Sequence, residues 1–402
     1  MEKTSTYTVE KTLLAFVTDS ETETILKNIP FKDFSITPKI IKGSSNAAYN
    51  YLKKNDSPDI LIIDLSDASL PITEIEKISE VCEPSVNVLA IGENNDISVF
   101  RQLLALGVSD YLVKPLNTSL VITRLKDVLQ KGSKKTAKSG FSYSGHIVSF
   151  LGVCGGVGTS TLATNCAISM AEDHNKHISL VDFNLRSGNL SYLLNIPATG
   201  GLIDILKDPK RVDQTILDKV MVPYGERLDV LSSESEVLEP YAHCAPGMKG
   251  TLSLLAQHYN YTLVDCAHGA PASFKELVFQ FSDTVVLVCD LTFTAVRETA
   301  RLIRYFKNTA SIEQKILVLA NKSGQYTKGE ISKNDFEMAI DHPLTFIINF
   351  DNKTPLECLN DATPLIREKG PLSDDLKSFA AHLAGKALIQ KEKSFLENLF
   401  TT

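Results

Sequence analysis

Two α/β domains, each built on a doubly wound parallel sheet, are what this sequence predicts. At 402 residues the chain is longer than one hydrophobic core usually organises. Short apolar or β-branched runs alternate with helical patterns along most of it, the rhythm of βα units whose strands are covered on both faces. That rhythm breaks once, at Lys131-Gly-Ser-Lys-Lys-Thr-Ala-Lys-Ser-Gly140, which holds four lysines, no acid and no large apolar residue. Its glycines and serines favour flexibility and its charges repel one another, so it reads as an interdomain tether. A basic contact with membrane or DNA is the alternative. The expected boundaries are 1–130, a linker at 131–143, and 144–402.

In the first domain the runs Leu13 to Val17, Ile60 to Asp64, Val86 to Ile91 and Asp110 to Val113 are the strand candidates. Between and after them, Ser44 to Lys54, Ile72 to Cys82, Ile97 to Leu106 and Thr118 to Leu129 have helical spacing. The second domain repeats the pattern on a larger scale. Its strand candidates are His146 to Val153, His177 to Phe183, Arg227 to Ser232, Tyr261 to Ala267, Asp283 to Asp290, Lys315 to Asn321 and Leu344 to Phe350. Helices are expected at Ser160 to Ala171 and Thr294 to Phe306.

Composition narrows the class. Hydrophobic content of 43% and charged content of 22% suit a packed globular protein and argue against a disordered chain. A net charge of -7 gives no general attraction to nucleic acid or anionic lipid, so no specific nucleic-acid partner is expected. The N-terminal MEKTSTYTVEKTLLAFVTDS is too polar and acidic for a secretory signal, and no apolar run approaches the roughly 18 residues of a membrane span. Seven scattered cysteines, most within apolar stretches and none in a C-x-x-C pair, suggest buried free thiols in a reducing compartment. His243 and Cys244 are adjacent and lack metal-ligand spacing. The chain reads as cytoplasmic.

One segment carries chemistry by itself. The strand His146 to Val153 runs into Cys154-Gly-Gly-Val-Gly-Thr-Ser-Thr161, which opens a helix. A glycine-rich turn between strand and helix suits phosphate binding: glycines let backbone N–H groups close around an anion, and the helix N-terminus adds a favourable dipole. Downstream, Asp182 and Asp265 end strand candidates, where each is either a strand-end cap or part of a site. At the other end, Phe395, Leu396, Leu399 and Phe400 share one helical side, with few basic residues opposite them. A packed terminal helix or partner contact is expected there, with membrane contact as the alternative.

In the first domain, PDILIIDLS around Asp64 and GVSDYLVKPL around Lys114 resemble the response-regulator receiver, a flavodoxin-like fold. The resemblance implies that Asp64 holds the phosphoacceptor position, Lys114 the phosphoryl-contacting position, and Asp19 one of the two acidic Mg²⁺ positions after the first strand. Thr18 stands in the other acidic slot, and Gly92 stands where that family has Ser or Thr. Losing one carboxylate weakens a Mg²⁺ site. A pseudo-receiver kept as a docking module is therefore expected.

The loop of the second domain resembles the deviant Walker A motif of ParA/MinD-type P-loop NTPases (the SIMIBI class). The resemblance places Gly155, Gly156, Val157, Gly158, Thr159, Ser160 and Thr161 around nucleotide, with Ser160 and Asp265 at the Mg²⁺-linked positions. Asp182 matches the first switch acid, and Asn321 the adenine-contacting asparagine. Cys154 stands for the signature lysine, Thr159 for the P-loop lysine and Asn184 for the second switch acid; the usual D-x-P-x-G reads Asp265-Cys-Ala-His268-Gly269. Groups of this kind contribute factors of about 10²–10⁵ to phosphoryl transfer, so no catalytic residue is assigned and hydrolysis is expected to be negligible. ATP/Mg²⁺ binding is expected to be weak or absent, with Arg186 either a replacement cation or an ordinary surface arginine.

The whole arrangement, with LVDFNLRSGNLSYLLNI, GLIDILKDPKRVD and LDVLSSESEVLEP, resembles the TadZ/CpaE family of Tad (Flp) pilus assembly proteins. That resemblance implies a homodimeric cytoplasmic scaffold, polar or peripheral to the inner membrane, that helps localise the pilus secretion machinery. An active ParA/MinD-type ATPase in positioning or partition, and a phosphorylation-controlled response regulator, are the alternatives.

Overall fold

The computed structural model describes residues 11–131 except 85, and 145–386 except 186–187, 198–200, 208–212, 233–244, 267 and 310–313. Most of the lysine-rich tether, Arg186, His243, Cys244 and the C-terminal segment 391–402 lie outside the described residues. Two compact units divide the chain, 1–145 and 146–402.

The first unit is a five-stranded parallel sheet of β1 (Lys11–Val17), β2 (Ile36–Lys42), β3 (Ile60–Asp64), β4 (Asn87–Gly92) and β5 (Val108–Val113), in the order β2-β1-β3-β4-β5. This is the flavodoxin-like order. Alternation along the strands feeds two cores. Leu13, Ala15, Val17, Ile60 and Ile62 pack on one face, while Leu14, Phe16, Leu61 and Ile63 pack on the other. The four strand runs read from the sequence form β1, β3, β4 and β5. β2, and the helix Ser20–Lys27 before it, carry no continuous apolar run.

The second unit is an eight-stranded sheet. Its strands are β6 (His146–Gly152), β7 (Ile178–Asp182), β8 (Val222–Pro223), β9 (Leu228–Leu231), β10 (Tyr261–Cys266), β11 (Thr284–Cys289), β12 (Lys315–Ser323) and β13 (Phe346–Asn349). The order is β13-β12-β11-β6-β10-β7-β9-β8, parallel throughout except for the short β8, which runs antiparallel to β9. The helix Thr159–Glu172 follows β6, and every residue from Leu162 to Ala171 is buried. A helix buried on every side belongs inside a core; here it packs against the helix Pro371–Leu383 as well as the sheet, and its buried Asn165 accepts from Ile366 N. Central β6 lies between β10 and β11, so its C-terminal end opens at the point where the winding changes direction, the place where open α/β sheets bind ligands.

Six cysteines fall among the described residues, all free, and five of them are buried. Among the described residues no helix is long and apolar enough to cross a membrane.

Candidate functional site

In the second unit β6 ends at Gly152, and the helix starts at Thr159 with Gly158 as its N-cap residue. Gly156 (φ 77°) and Gly158 (φ 90°) adopt the left-handed backbone that a side chain disfavours. A Cβ on Gly155 or Gly156 would meet nothing within 4 Å, so that side of the loop is open. A turn of this kind, leading into a helix N-terminus, is an anion cradle in form. It borders a cleft of about 1100 Å³ whose lining includes Thr159, Ser160, Asn184, Asp265, His268, Asn321, Lys322 and Phe350.

The strands bring the two acids together. In the β7–β10 register Asp182 lies directly beside Asp265, and both are essentially buried. Ser160 Oγ donates to Asp265 Oδ2 at 2.5 Å, joining the loop to the strand end. Asp182 accepts from the N–H groups of Asn184 (3.0 Å) and Leu190 (3.4 Å), so it also fixes the turn after β7. That turn passes so close that a Cβ on Gly188 would lie 2.2 Å from Asp182 Oδ2. Burial pushes both carboxyls above the usual carboxylate range, and repulsion from Asp265 raises Asp182 further.

Among the described residues no ammonium group hydrogen-bonds to either acid. Thr159, matched to the P-loop lysine by the resemblance of the loop, has its hydroxyl against Gly152, where a Cβ would come within 2.6 Å of it. At Cys154, matched to the signature lysine by the same resemblance, burial first and then the charges of Asp290 and Glu298 push the thiol up. His268 Nδ1 sits 3.1 Å from Gly152 O, and Lys275 Nζ donates to His268 O at 2.5 Å, which ties down the segment after β10. Asn321 Nδ2 donates to Val157 O at 2.9 Å, so the residue matched to adenine contact also braces the loop. Lys322 Nζ donates to Gly156 O at 2.7 Å. Neither Lys322 nor Gly188 stands out in the sequence, beyond the adjacency of Lys322 to Asn321.

The donor set therefore fits a nucleotide phosphate chain through backbone amides, and Mg²⁺ through Ser160 and Asp265. It lacks the two cations that would balance the charge developed when a phosphate bond breaks.

Residues 146–367, more than half of the chain, match the family model described as cellulose biosynthesis protein BcsQ. The chain belongs to the BcsQ family. A septum site-determining protein MinD from Synechocystis is 24% identical over 240 residues, covering 60% of this chain and 80% of that protein. Among solved structures, a ParA family ATPase from Chlorobium tepidum superposes with a TM-score of 0.53 at 22% identity, covering 60% of this chain and all of that one. The BcsQ-family unit thus has the ParA/MinD P-loop fold. A pilus assembly protein CpaE from Caulobacter crescentus covers 30% of this chain and 93% of its own at 24% identity, with a TM-score of 0.28, an overlap too small to argue from.

The first unit holds a second acid cluster. Asp64, the last residue of β3, is fully buried. Its Oδ2 accepts from Thr18 N (3.0 Å), Thr18 Oγ1 (2.7 Å) and Lys114 Nζ (2.7 Å), and its Oδ1 from Ser66 N (3.1 Å) and Ser66 Oγ (2.6 Å). Lys114 Nζ also donates to Asp19 Oδ2 at 2.5 Å, while Asp19 caps the helix Ser20–Lys27 through Thr22. Burial would raise Asp64, but the donors from Lys114, Ser66 and Thr18 outweigh it and hold the carboxyl below its usual range. Asp19 is likewise held low, its burial outweighed chiefly by Lys114. At Gly92 a Cβ would lie 2.3 Å from Tyr111 Oη, so the inward Tyr111 ring occupies the space that a Ser or Thr side chain needs.

Proposed function

We propose that this chain is a scaffold with a nucleotide-binding fold and little or no ATP hydrolysis. In this reading it is a cytoplasmic homodimer that localises the Tad (Flp) pilus secretion machinery, polar or peripheral to the inner membrane. The observation that carries the hydrolytic half is Thr159, whose short side chain rests against Gly152, so that among the described residues no ammonium meets the Ser160–Asp265–Asp182 group. Nucleotide with Mg²⁺ remains the ligand class, because the cradle's amides, Ser160 and Asp265 are in place. The first unit serves as a docking module: Asp64 has both oxygens engaged and no exposed surface, which speaks against phosphoryl acceptance. The pilus assignment rests on the combination of a receiver-like unit with a ParA/MinD-like unit whose loop has lost its lysines. The BcsQ family name raises cellulose secretion as the competing cargo.

Titration calorimetry of the full chain with Mg-ADP and Mg-ATP, followed by phosphate-release measurement, tests the first half. Binding without turnover above buffer is expected, and turnover that disappears in Asp265→Ala would make the protein an active ATPase. Fluorescent fusions in cells lacking either the pilus or the cellulose apparatus test the second. Loss of focal localisation in the pilus-deficient cells is expected; loss confined to the cellulose-deficient cells would overturn the pilus assignment.

A further inference from the structure

A lysine outside the glycine-rich loop holds one of the loop's carbonyls. Lys322 sits at φ 60°, in the left-handed backbone that favours glycine or asparagine, where a lysine carries strain. It lies near the end of β12, and its ammonium reaches back to Gly156 O at 2.7 Å while the neighbouring Asn321 holds Val157 O at 2.9 Å. The amide of Asn321 is fixed in turn, since its Oδ1 accepts from Lys322 N at 2.9 Å. Two successive loop carbonyls are thus pinned toward β12 by two successive side chains.

In a trans peptide the C=O and the following N–H point in opposite directions. Holding Gly156 O and Val157 O against β12 therefore aims the N–H groups of Val157 and Gly158 the other way. An anion cradle works when its donors are aimed before the ligand arrives, because no reorganisation is then needed on binding. Gly158 cannot carry a side chain here, as its Cβ would come within 2.6 Å of Asn321 Nδ2. The close approach that excludes a side chain is the one that makes the brace.

We propose that Lys322 is a positioning residue that preforms the phosphate cradle by clamping the Gly156 carbonyl, so that the loop binds a diphosphate through aimed amides in place of lysine charge. The clamp deepens the nucleotide-binding reading above and rests on it for its ligand. It acts through a hydrogen bond to a backbone oxygen, so a neutral donor of sufficient length serves in place of the ammonium.

The test compares the full-length wild type with Lys322→Met and Lys322→Gln, using Mg-ADP and inorganic pyrophosphate as probes. Lys322 is half-buried at the cleft and belongs to neither hydrophobic core, so both variants are expected to fold. Lys322→Met is expected to bind about tenfold more weakly, the scale of one charge-assisted hydrogen bond, with Lys322→Gln recovering most of the loss. If Gln is as poor as Met and the deficit shrinks with added salt, Lys322 acts on phosphate by charge and the clamp is wrong. Hydrogen exchange of the ligand-free proteins gives an independent readout: amides in 154–162 should exchange faster in Lys322→Met than in wild type or Lys322→Gln. Equal exchange in all three overturns the proposal whatever the affinities. Faster exchange in the Met variant, with no binding of either probe to wild type, leaves the clamp standing and removes the nucleotide-binding reading instead.

Discussion

Both units place two aspartates at the C-terminal ends of neighbouring parallel strands, and the two pairs sit in opposite electrostatic states. Asp19 and Asp64 follow or end β1 and β3; Asp182 and Asp265 lie at the ends of β7 and β10. In the first pair Lys114 Nζ stands 2.5 Å from one carboxylate and 2.7 Å from the other, and both acids are held below their usual range. In the second no described ammonium makes a hydrogen bond to either acid, and both are pushed above it. A carboxylate pair that carries its own counter-ion is complete within the protein. A buried pair without one has to take a proton or a cation from outside. The first cluster is therefore satisfied by its own lysine and the second is not, although a motif reading gives them similar rank.

Removing the counter-ion is the strongest way to break the contrast. Lys114→Met leaves Asp64 buried with its charge uncompensated, and should destabilise the first unit by about 3 kcal/mol. Urea unfolding of the full chain, followed by hydrogen exchange on residues 11–131, would show it. Unchanged protection in that unit would mean that the Thr18 and Ser66 donors suffice without the lysine.

The second cluster should respond to pH in the opposite sense from the first. A carboxyl whose folded pKa is raised contributes stability that is fully present below its unfolded value, near 3.8, and is lost as pH rises through the folded value. Asp19 and Asp64, held low, contribute stability present above that value and lost as pH falls through the folded one. Asp182→Asn, neutral at every pH, should therefore gain on wild type by about 1–2 kcal/mol between pH 5 and pH 8 in metal-free buffer. Its Oδ1 can still accept from Asn184 N. Parallel stability curves for variant and wild type across that interval would show that the pair is not strained by charge.

What could be read from the sequence follows from which contacts are local. β3 (ILIID) and β11 (TVVLVC) announce themselves because both faces are covered and every exposed alternative is excluded. β2 (ITPKIIK) was not legible: it is an edge strand, largely exposed, with Lys39 and Lys42 facing water as edge strands require. The helix Ser20–Lys27 (SETETILK) buries only Thr22 and Leu26, too little for a periodic signal. At the site, the glycine loop and Asp265 could be found because strand, turn and helix are contiguous in the chain. Lys322 could not, since 166 residues separate it from Gly156 and only the β6–β11–β12 order brings them together. The mutual exclusion of a Gly92 side chain and the Tyr111 ring was hidden for the same reason.

Restoring charge to the second cluster should make it resemble the first. Thr159→Lys places an ammonium in the loop, where it can reach the phosphates and offset Asp182 and Asp265. Affinity for Mg-ADP should rise about tenfold, equivalent to about 1.4 kcal/mol. Turnover should stay at background, because Cys154 and Asn184 remain as they are. A large gain in hydrolysis from this single change would show that one lysine was the whole deficit.

The smallest expected effect concerns the space that Gly92 leaves to Tyr111 in the first unit. Tyr111 is buried, and its hydroxyl donates to Asn94 O at 3.0 Å. Gly92→Ser puts a Cβ 2.3 Å from that hydroxyl and 3.0 Å from the ring, so the ring has to move and its hydrogen bond is lost. A cost of about 1 kcal/mol is expected for overpacking at the edge of a core. Tyr111→Ala has its own cost, but in that background the Ser substitution should cost almost nothing, because the two side chains compete for one space. Calorimetry on the four proteins of this cycle measures the coupling. If the penalty for Gly92→Ser is the same with and without the tyrosine ring, then something other than Tyr111 keeps position 92 bare.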